Sequence, residues 1–237
     1  NPGVVVAFAM CAHHDSLAIL ALLAANLFII KQRGALSIFF LALSFLSKFF
    51  SGLILPVFLK RTRWIYGALF PAVVAVGYLP YGGAGRQLLE GLSQYAAGWE
   101  NNDSLFRLMI LAGNSRAQVG LLSVAFLAAL LIYIMKRRME PLEASMVLIA
   151  GLIFLSPNAF PWYFTWMIPF LCFHSHPAML LASVTCVLGY SPLVEYAGGG
   201  PYQDSPLILL LEYGPVFAWL GYLAWRETRK SKIDTRS

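Results

Sequence analysis

The chain has 237 residues, 59% of them hydrophobic and only 12% Asp, Glu, Lys or Arg, where an ordinary soluble domain is roughly 45–50% apolar and about 25% charged. A mean hydropathy of +0.69, concentrated in long apolar blocks, excludes a soluble globular enzyme and a disordered chain, and favours membrane helices over an outer-membrane barrel. The net charge of +6 sits in short basic clusters between those blocks, a topology signal and not a nucleic-acid-binding surface.

The chain begins with Asn1 rather than Met and carries no basic leader, so it is expected to lack its natural start. Uncharged runs cover 16–30, 35–47, 49–59, 64–81, 117–135, 144–157, 162–173, 177–193 and 206–225, the last interrupted only by Glu212. A straight span needs about 20 residues. Several runs are shorter, so some helices are expected to be broken, re-entrant or shielded by neighbours. The expected fold is an all-α, polytopic integral membrane bundle, one transmembrane domain over 1–237 with a cytoplasmic tail at 227–237. Cys11, Cys172 and Cys186 lie in apolar stretches without CxxC spacing and read as small hydrophobes, implying neither a disulfide framework nor a metal site.

Orientation follows from the basic clusters Lys31/Arg33, Lys60/Arg61/Arg63 and Lys136/Arg137/Arg138, with Arg226, Arg229, Lys230, Lys232 and Arg236 in the tail. A continuous helix over 34–59 would put the first two clusters on opposite faces. A turn near Lys48 gathers all of them on one face, which the positive-inside rule favours; a tilted long helix is the alternative. The turned reading places His13-His14-Asp15, Lys48 and the loops 82–116, 157–161 and 194–205 on the extracytoplasmic side. Within 82–116, Leu88, Leu89, Leu92, Tyr95, Ala96 and Trp99 recur at helical spacing opposite Glu90, Ser93 and Gln94, an amphipathic interfacial helix. Gly82-Gly83-Ala84-Gly85 reads as turn punctuation.

Four features break the apolar rule near one face. Asp15 flanked by His13 and His14 could serve as a base, position a hydroxyl or hold a divalent cation, or simply mark a helix start. Lys48, inside an apolar block, costs about 2.5–3.5 kcal/mol on insertion scales and needs an anion or water, unless it snorkels from a helix end. The run 156–166, with Pro161, Trp162 and Tyr163, is either an aromatic belt or a site wall. The cluster Trp99-Glu100-Asn101-Asn102-Asp103-Ser104 is either a solvated loop or a polar site. Glu212 is a further intramembrane acid that needs a partner.

At these residues the chain resembles the GT-C superfamily of membrane glycosyltransferases, most closely its bacterial polyprenol-phosphate-mannose-dependent mannosyltransferases, once a domain of unknown function. The resemblance rests on Asn1-Pro2 with His14-Asp15-Ser16, and on Leu46-Ser47-Lys48-Phe49 leading to Leu55-Pro56. It continues through Trp99-Glu100-Asn101 with Ser104-Leu105-Phe106, and Pro161-Trp162-Tyr163 with Trp166 and Pro169. It implies transfer of a hexose, mannose first, from a polyprenyl-phosphate donor to a lipid, glycan or protein acceptor on the extracytoplasmic face of a bacterial inner membrane. It implies Asp15 and His14 as catalytic residues, and His13, Lys48, Trp99, Asn101, Pro161, Trp162 and Tyr163 as substrate-binding ones, Lys48 facing the donor phosphate. Such enzymes carry an essential acid in their first outer loop; here that loop is expected upstream of Asn1, which leaves two roles open for Asp15, catalytic base or supporting residue. No cofactor beyond a divalent cation is implied. The competing reading is a transporter or flippase for a lipid-linked or anionic solute, using Lys48 and Glu212 as intramembrane charges.

Overall fold

A computed structural model describes residues 1–234, apart from the side chains of Pro2, Arg86, Ala96, Ala97, Glu227 and 230–234. The chain is 80% helical, without strands among the described residues. After a short start, α1 (Pro2–Val4) and a π-helical turn (Val5–Met10), the chain enters α2 (Asp15–Ile30) and returns through α3 (Gly34–Ser47). Ser37 Oγ donates to Ala25 O at 2.9 Å and Ser44 Oγ to Ala18 O at 2.8 Å. Seven residues forward on one helix match seven back on the other, so the pair is antiparallel. Small hydroxyl residues let such helices approach closely without leaving a polar group unpaired in an apolar setting.

The helix stops at Lys48, whose backbone is extended (φ −155°, ψ 127°). A 3₁₀ stretch (Phe49–Ile54) and α4 (Leu55–Leu59) then fold back along α3; a Cβ on Gly34 would lie 3.0 Å from Thr62. A continuous tilted helix over 34–59 is thereby excluded. Lys60 Nζ donates to Met135 O at 2.7 Å, and Arg61 to Arg138 O and Met139 O at 3.0 and 2.6 Å. The clusters around residues 31, 60 and 136 therefore meet at one end of the bundle.

Next come a 3₁₀ turn (Trp64–Ala68), α5 (Leu69–Tyr78), a further 3₁₀ run (Leu79–Leu89), α6 (Glu90–Gly98) and α7 (Leu105–Leu111). The 82–116 segment is thus largely helical. Its glycine group continues the preceding helical run, with Gly85 taking up the bend at φ 53°. α8 (Arg116–Arg137) starts on a capping box between Ser115 and Gln118 and ends at Arg138 in the left-handed region. The central helix is α9 (Pro141–Leu155), buried at nine positions. At 1.5 Å per residue it is only about 22 Å long, tolerable at membrane depth because protein surrounds it.

The remainder is a 3₁₀ turn (Pro161–Trp166), α10 (Ile168–Leu171), α11 (Pro177–Thr185), a 3₁₀ turn (Cys186–Tyr190), α12 (Ser191–Ala197) and α13 (Pro206–Asp234). Among the described residues, four helical runs are long and apolar enough to cross a membrane: Trp64–Gly85, Arg116–Arg137, Pro177–Ala197 and Pro206–Arg226. They expose Leu121, Val124, Phe126, Leu207 and Leu210, as lipid-facing helices must. One apolar core runs from Ala18 through Phe58, Ile149 and Phe164 to Val216. Of the tail expected at 227–237, α13 covers the backbone to 234, and 235–237 lie outside the described residues.

Candidate active site

The helix break at Lys48 and the first residue of α2 meet at the end of the bundle opposite the basic clusters. Asp15 is fully buried. Trp166 donates its indole N–H to Asp15 Oδ1 at 2.7 Å, and Lys48 Nζ lies 3.5 Å from the same oxygen. A buried carboxylate persists only when paired and hydrogen-bonded, and these two contacts supply both. Trp166 is itself clamped between Phe50 and Tyr163, each stacked at 4.2 Å. The Lys48 ammonium also sits 5.4 Å over the Tyr163 ring, a cation–π contact.

Lys48, Tyr95 and Tyr163 form the wall between two cavities. One, of about 380 Å³, is polar and aromatic; the other, of about 480 Å³, is mostly apolar and runs along Phe49, Phe50, Leu53, Leu92, Leu127, Leu152 and Ile153. The hydroxyls of Tyr95 and Tyr163 are 3.1 Å apart in the partition. Burial raises the pKa of Tyr95, opposed by its hydrogen bond with Tyr163, so this hydroxyl keeps its proton. His13 stacks on Trp162 at 4.0 Å. Its pKa is lowered, by burial first and by Lys48 and His14 as well, against the opposing pull of Asp15; its imidazole is neutral at pH 7.

The 99–104 segment closes the polar cavity, and it is a buried knot rather than a solvated loop. Asn101, Asn102, Asp103 and Ser104 are all buried. Asn101 N–H donates to Pro157 O and Ala159 N–H to Asn101 O, at 3.0 and 2.9 Å. Asn158 Nδ2 donates to Trp99 O at 2.9 Å, and Asn101 Nδ2 to Tyr202 OH at 3.0 Å. Asn102 stands at φ 52°. Its backbone N–H donates to Asp204 Oδ2 at 2.7 Å, its amide to Ala159 O and Glu212 Oε1 at 3.0 and 2.8 Å, and its carbonyl accepts from Tyr213 OH at 2.8 Å. Asp103 pairs with Arg107 at 3.2 Å; Arg116 pairs with Glu100 and donates to Trp99 O. Burial raises the pKa of both Asp103 and Asp204, with Arg107 pulling each the other way.

Seven residues expected to bind substrate, His13, Lys48, Trp99, Asn101, Pro161, Trp162 and Tyr163, line the polar and aromatic cavity together. The two expected catalytic residues do not line it. Asp15 lies beneath Lys48, and His14 is exposed just before α2 without a capping hydrogen bond. Phe160, Gly189, Tyr190, Leu193 and Tyr202 complete the lining; Phe160 belongs to the aromatic run 156–166 already singled out, and for the other four the sequence signal was only that aromatic and glycine residues gather at 189–202. Tyr95, expected as an interfacial anchor, belongs to the site wall. Among the described residues no three His, Cys, Asp or Glu side chains are grouped to hold a metal ion.

The profile of the MptB C-terminal domain matches residues 95–224. That range holds the 99–104 knot, the 157–166 wall and Glu212, while His13, Asp15 and Lys48 precede it. No curated protein and no solved structure matches the chain.

Proposed function

The chain belongs to the MptB C-terminal domain family, a mannosyltransferase-related family, and from that premise we propose a GT-C-type transfer reaction. A hexose, mannose first, moves from a polyprenyl-phosphate donor to a hydroxyl of a lipid, glycan or protein acceptor. The observation that carries this reading is the place of Lys48, at the junction of a polar and an apolar cavity and paired with a buried Asp15. An amphiphile whose anion lies between a sugar and a hydrocarbon tail has the same order of parts.

In this reading the tail occupies the cavity along Phe49, Leu53 and Leu127, and the sugar stacks among Trp99, Trp162 and Tyr163. The acceptor oxygen bonds to the anomeric carbon as the bond from that carbon to the phosphate oxygen breaks, and the polyprenyl phosphate leaves with the electron pair. Lys48 stabilises the departing charge. Asp15 positions Lys48 without touching substrate, since it is buried outside the cavity. Neutral His13, which does line the cavity, takes the acceptor proton. His14 lies outside the cavity and takes no part in the transfer. The basic end is assigned to the cytoplasm and the site to the extracytoplasmic face of a bacterial inner membrane.

The test is turnover of labelled polyprenyl-phosphate mannose in membranes containing the protein. Lys48→Met leaves the buried Asp15 with Trp166 alone and should lower the melting temperature, and per folded protein it should lower turnover by roughly two to three orders of magnitude, as loss of an oxyanion donor does; Lys48→Arg keeps the pair and should recover part of the turnover, a planar fork replacing a point charge. Near-normal turnover in Lys48→Met would remove the phosphate assignment. Turnover of a nucleotide sugar with none of the lipid donor would remove the donor class.

A further inference from the structure

The opposite end of the bundle carries a second built cavity, of about 490 Å³, between α4 and the α8–α9 turn. Lys60, Arg61, Arg138 and Glu140 form its polar rim, Val57 and Ile134 its apolar floor. We propose that this cavity holds the phosphate headgroup of an anionic membrane phospholipid.

Three observations converge. First, two of the cations are fixed in advance. Lys60 Nζ donates to Met135 O, and Arg61 Nη2 to Arg138 O and Met139 O. These are carbonyls at the end of α8, where the helix dipole is negative and would repel an anion. The two side chains neutralise that end, and donors remain on both for a further acceptor. Second, Arg138 sits at φ 52° as the cap of α8, a conformation that glycine adopts without steric cost. Its guanidinium is exposed at the rim and makes no hydrogen bond or ion pair among the described residues. Third, a neighbouring cavity of about 300 Å³ shares Arg61 and Glu140 and reaches Ile29, Ile30 and Gln32. Ile30 is 51% exposed there. Exposed Ile30 beside a cationic rim suits a phosphodiester with its glycerol and acyl chains, and a free phosphate would leave it wet; Val57, Ile134 and Ile29 are already dry beneath. Basic pockets between membrane helices bind anionic headgroups by this combination. Glu140, 3.5 Å from Arg61, is the one acid in the rim and weakens the anion's hold.

The experiment compares thermal unfolding of the protein in nanodiscs of phosphatidylcholine with and without phosphatidylglycerol, alongside native mass spectrometry of retained lipid. Phosphatidylglycerol should raise the melting temperature of the parent protein, and Glu140→Gln should enlarge the rise. Arg138→Gly should unfold no earlier than the parent in phosphatidylcholine, because its backbone is relieved, yet bind phosphatidylglycerol roughly tenfold more weakly through loss of one charge-assisted contact. Lys136→Gln with Arg137→Gln, a larger charge loss at the same end but outside the cavity, should keep the full response. An equal loss in that pair would mean diffuse surface attraction and overturn the site. Full phosphatidylglycerol binding by Arg138→Gly would overturn it too. Equal stabilisation by inorganic phosphate in phosphatidylcholine would replace the lipid with a free anion.

Discussion

Asn102 donates its side-chain amide to Oε1 of Glu212 at 2.8 Å, joining residues 110 positions apart behind the wall of the polar cavity. Both are buried, and Asn102 is the residue that turns the 99–104 segment at positive φ. The acid that the sequence left without a partner is therefore the anchor of the segment that presents Trp99 and Asn101. Glu212→Gln retains an acceptor and should be tolerated. Glu212→Leu leaves the Asn102 amide short of a partner and should cost roughly 1–3 kcal/mol, read as a lower melting temperature in detergent. Equal melting of the two variants would show that the Asn102 side-chain amide is held by Ala159 O without help from Glu212.

Close approach sets a second expectation, at Gly189. A Cβ there would lie 2.6 Å from Asn102 Nδ2, 2.9 Å from its Cγ and 3.1 Å from Pro161 Cγ. Neither neighbour is free to move, the amide being tied to Ala159 and Glu212. Gly189→Ala should cost about 1–3 kcal/mol by overpacking and lower sugar transfer. At Gly77 the atoms met are the δ-carbons of Leu46, at 2.7 and 2.9 Å. These are the far end of a flexible side chain, so Gly77→Ala should be nearly silent in the same melting assay.

His13 supplies a pH signature. Burial lowers its pKa below 6.5, so between that depressed value and 6.5 the unfolded chain binds more protons than the folded one. Stability then rises with pH across that window and is lost as pH falls through it. Transfer should follow the same acid limb, since only neutral imidazole accepts a proton. His13→Gln should abolish the limb and lower the plateau. A rate profile unchanged in the variant would remove His13 from proton transfer.

Side-specific labelling tests the orientation. With the native cysteines replaced, single cysteines at Gln32 and Arg63 should react with an impermeant thiol reagent from the same side of the membrane, and one at Gln94 from the other. All three positions are exposed. Reaction of 32 and 63 from opposite sides would separate the two basic clusters that the fold-back after Lys48 brings together.

Much of the site was legible in the sequence because transfer free energy belongs to each residue wherever it sits. An ammonium in an apolar block is costly unless it is paired, wet or snorkelling, so Lys48 stood out from the sequence alone, and of the three remedies the structure supplies an anion, Asp15 at 3.5 Å. The aromatic run at 161–166 could be a belt or a wall by composition. Its role as a wall depends on His13, 149 positions from Trp162 in the chain, stacking on that ring. The division of labour between Asp15 and His14 was not legible either, since adjacent residues at a helix start point in different directions and only packing decides which is buried.

The sequence by itself determined that this is an all-α membrane protein and where its long apolar blocks lie, and it favoured, between two alternatives, the one in which the basic clusters share an end. Those are sums of local terms: hydropathy per residue, charge per loop and the length a span needs. Only the tertiary structure decided that Asn101, Asn102 and Asp103 are buried, because a polar residue in a solvated loop and one in a satisfied core read alike along the chain. The partners of Asn101 and Asn102, which are Asn158, Tyr202, Asp204 and Glu212, come from segments more than fifty residues away; only Asp103 finds its partner, Arg107, nearby in the chain. Hydrogen bonds require partners within about 3 Å in space, and which residues come that close is a property of the whole packing.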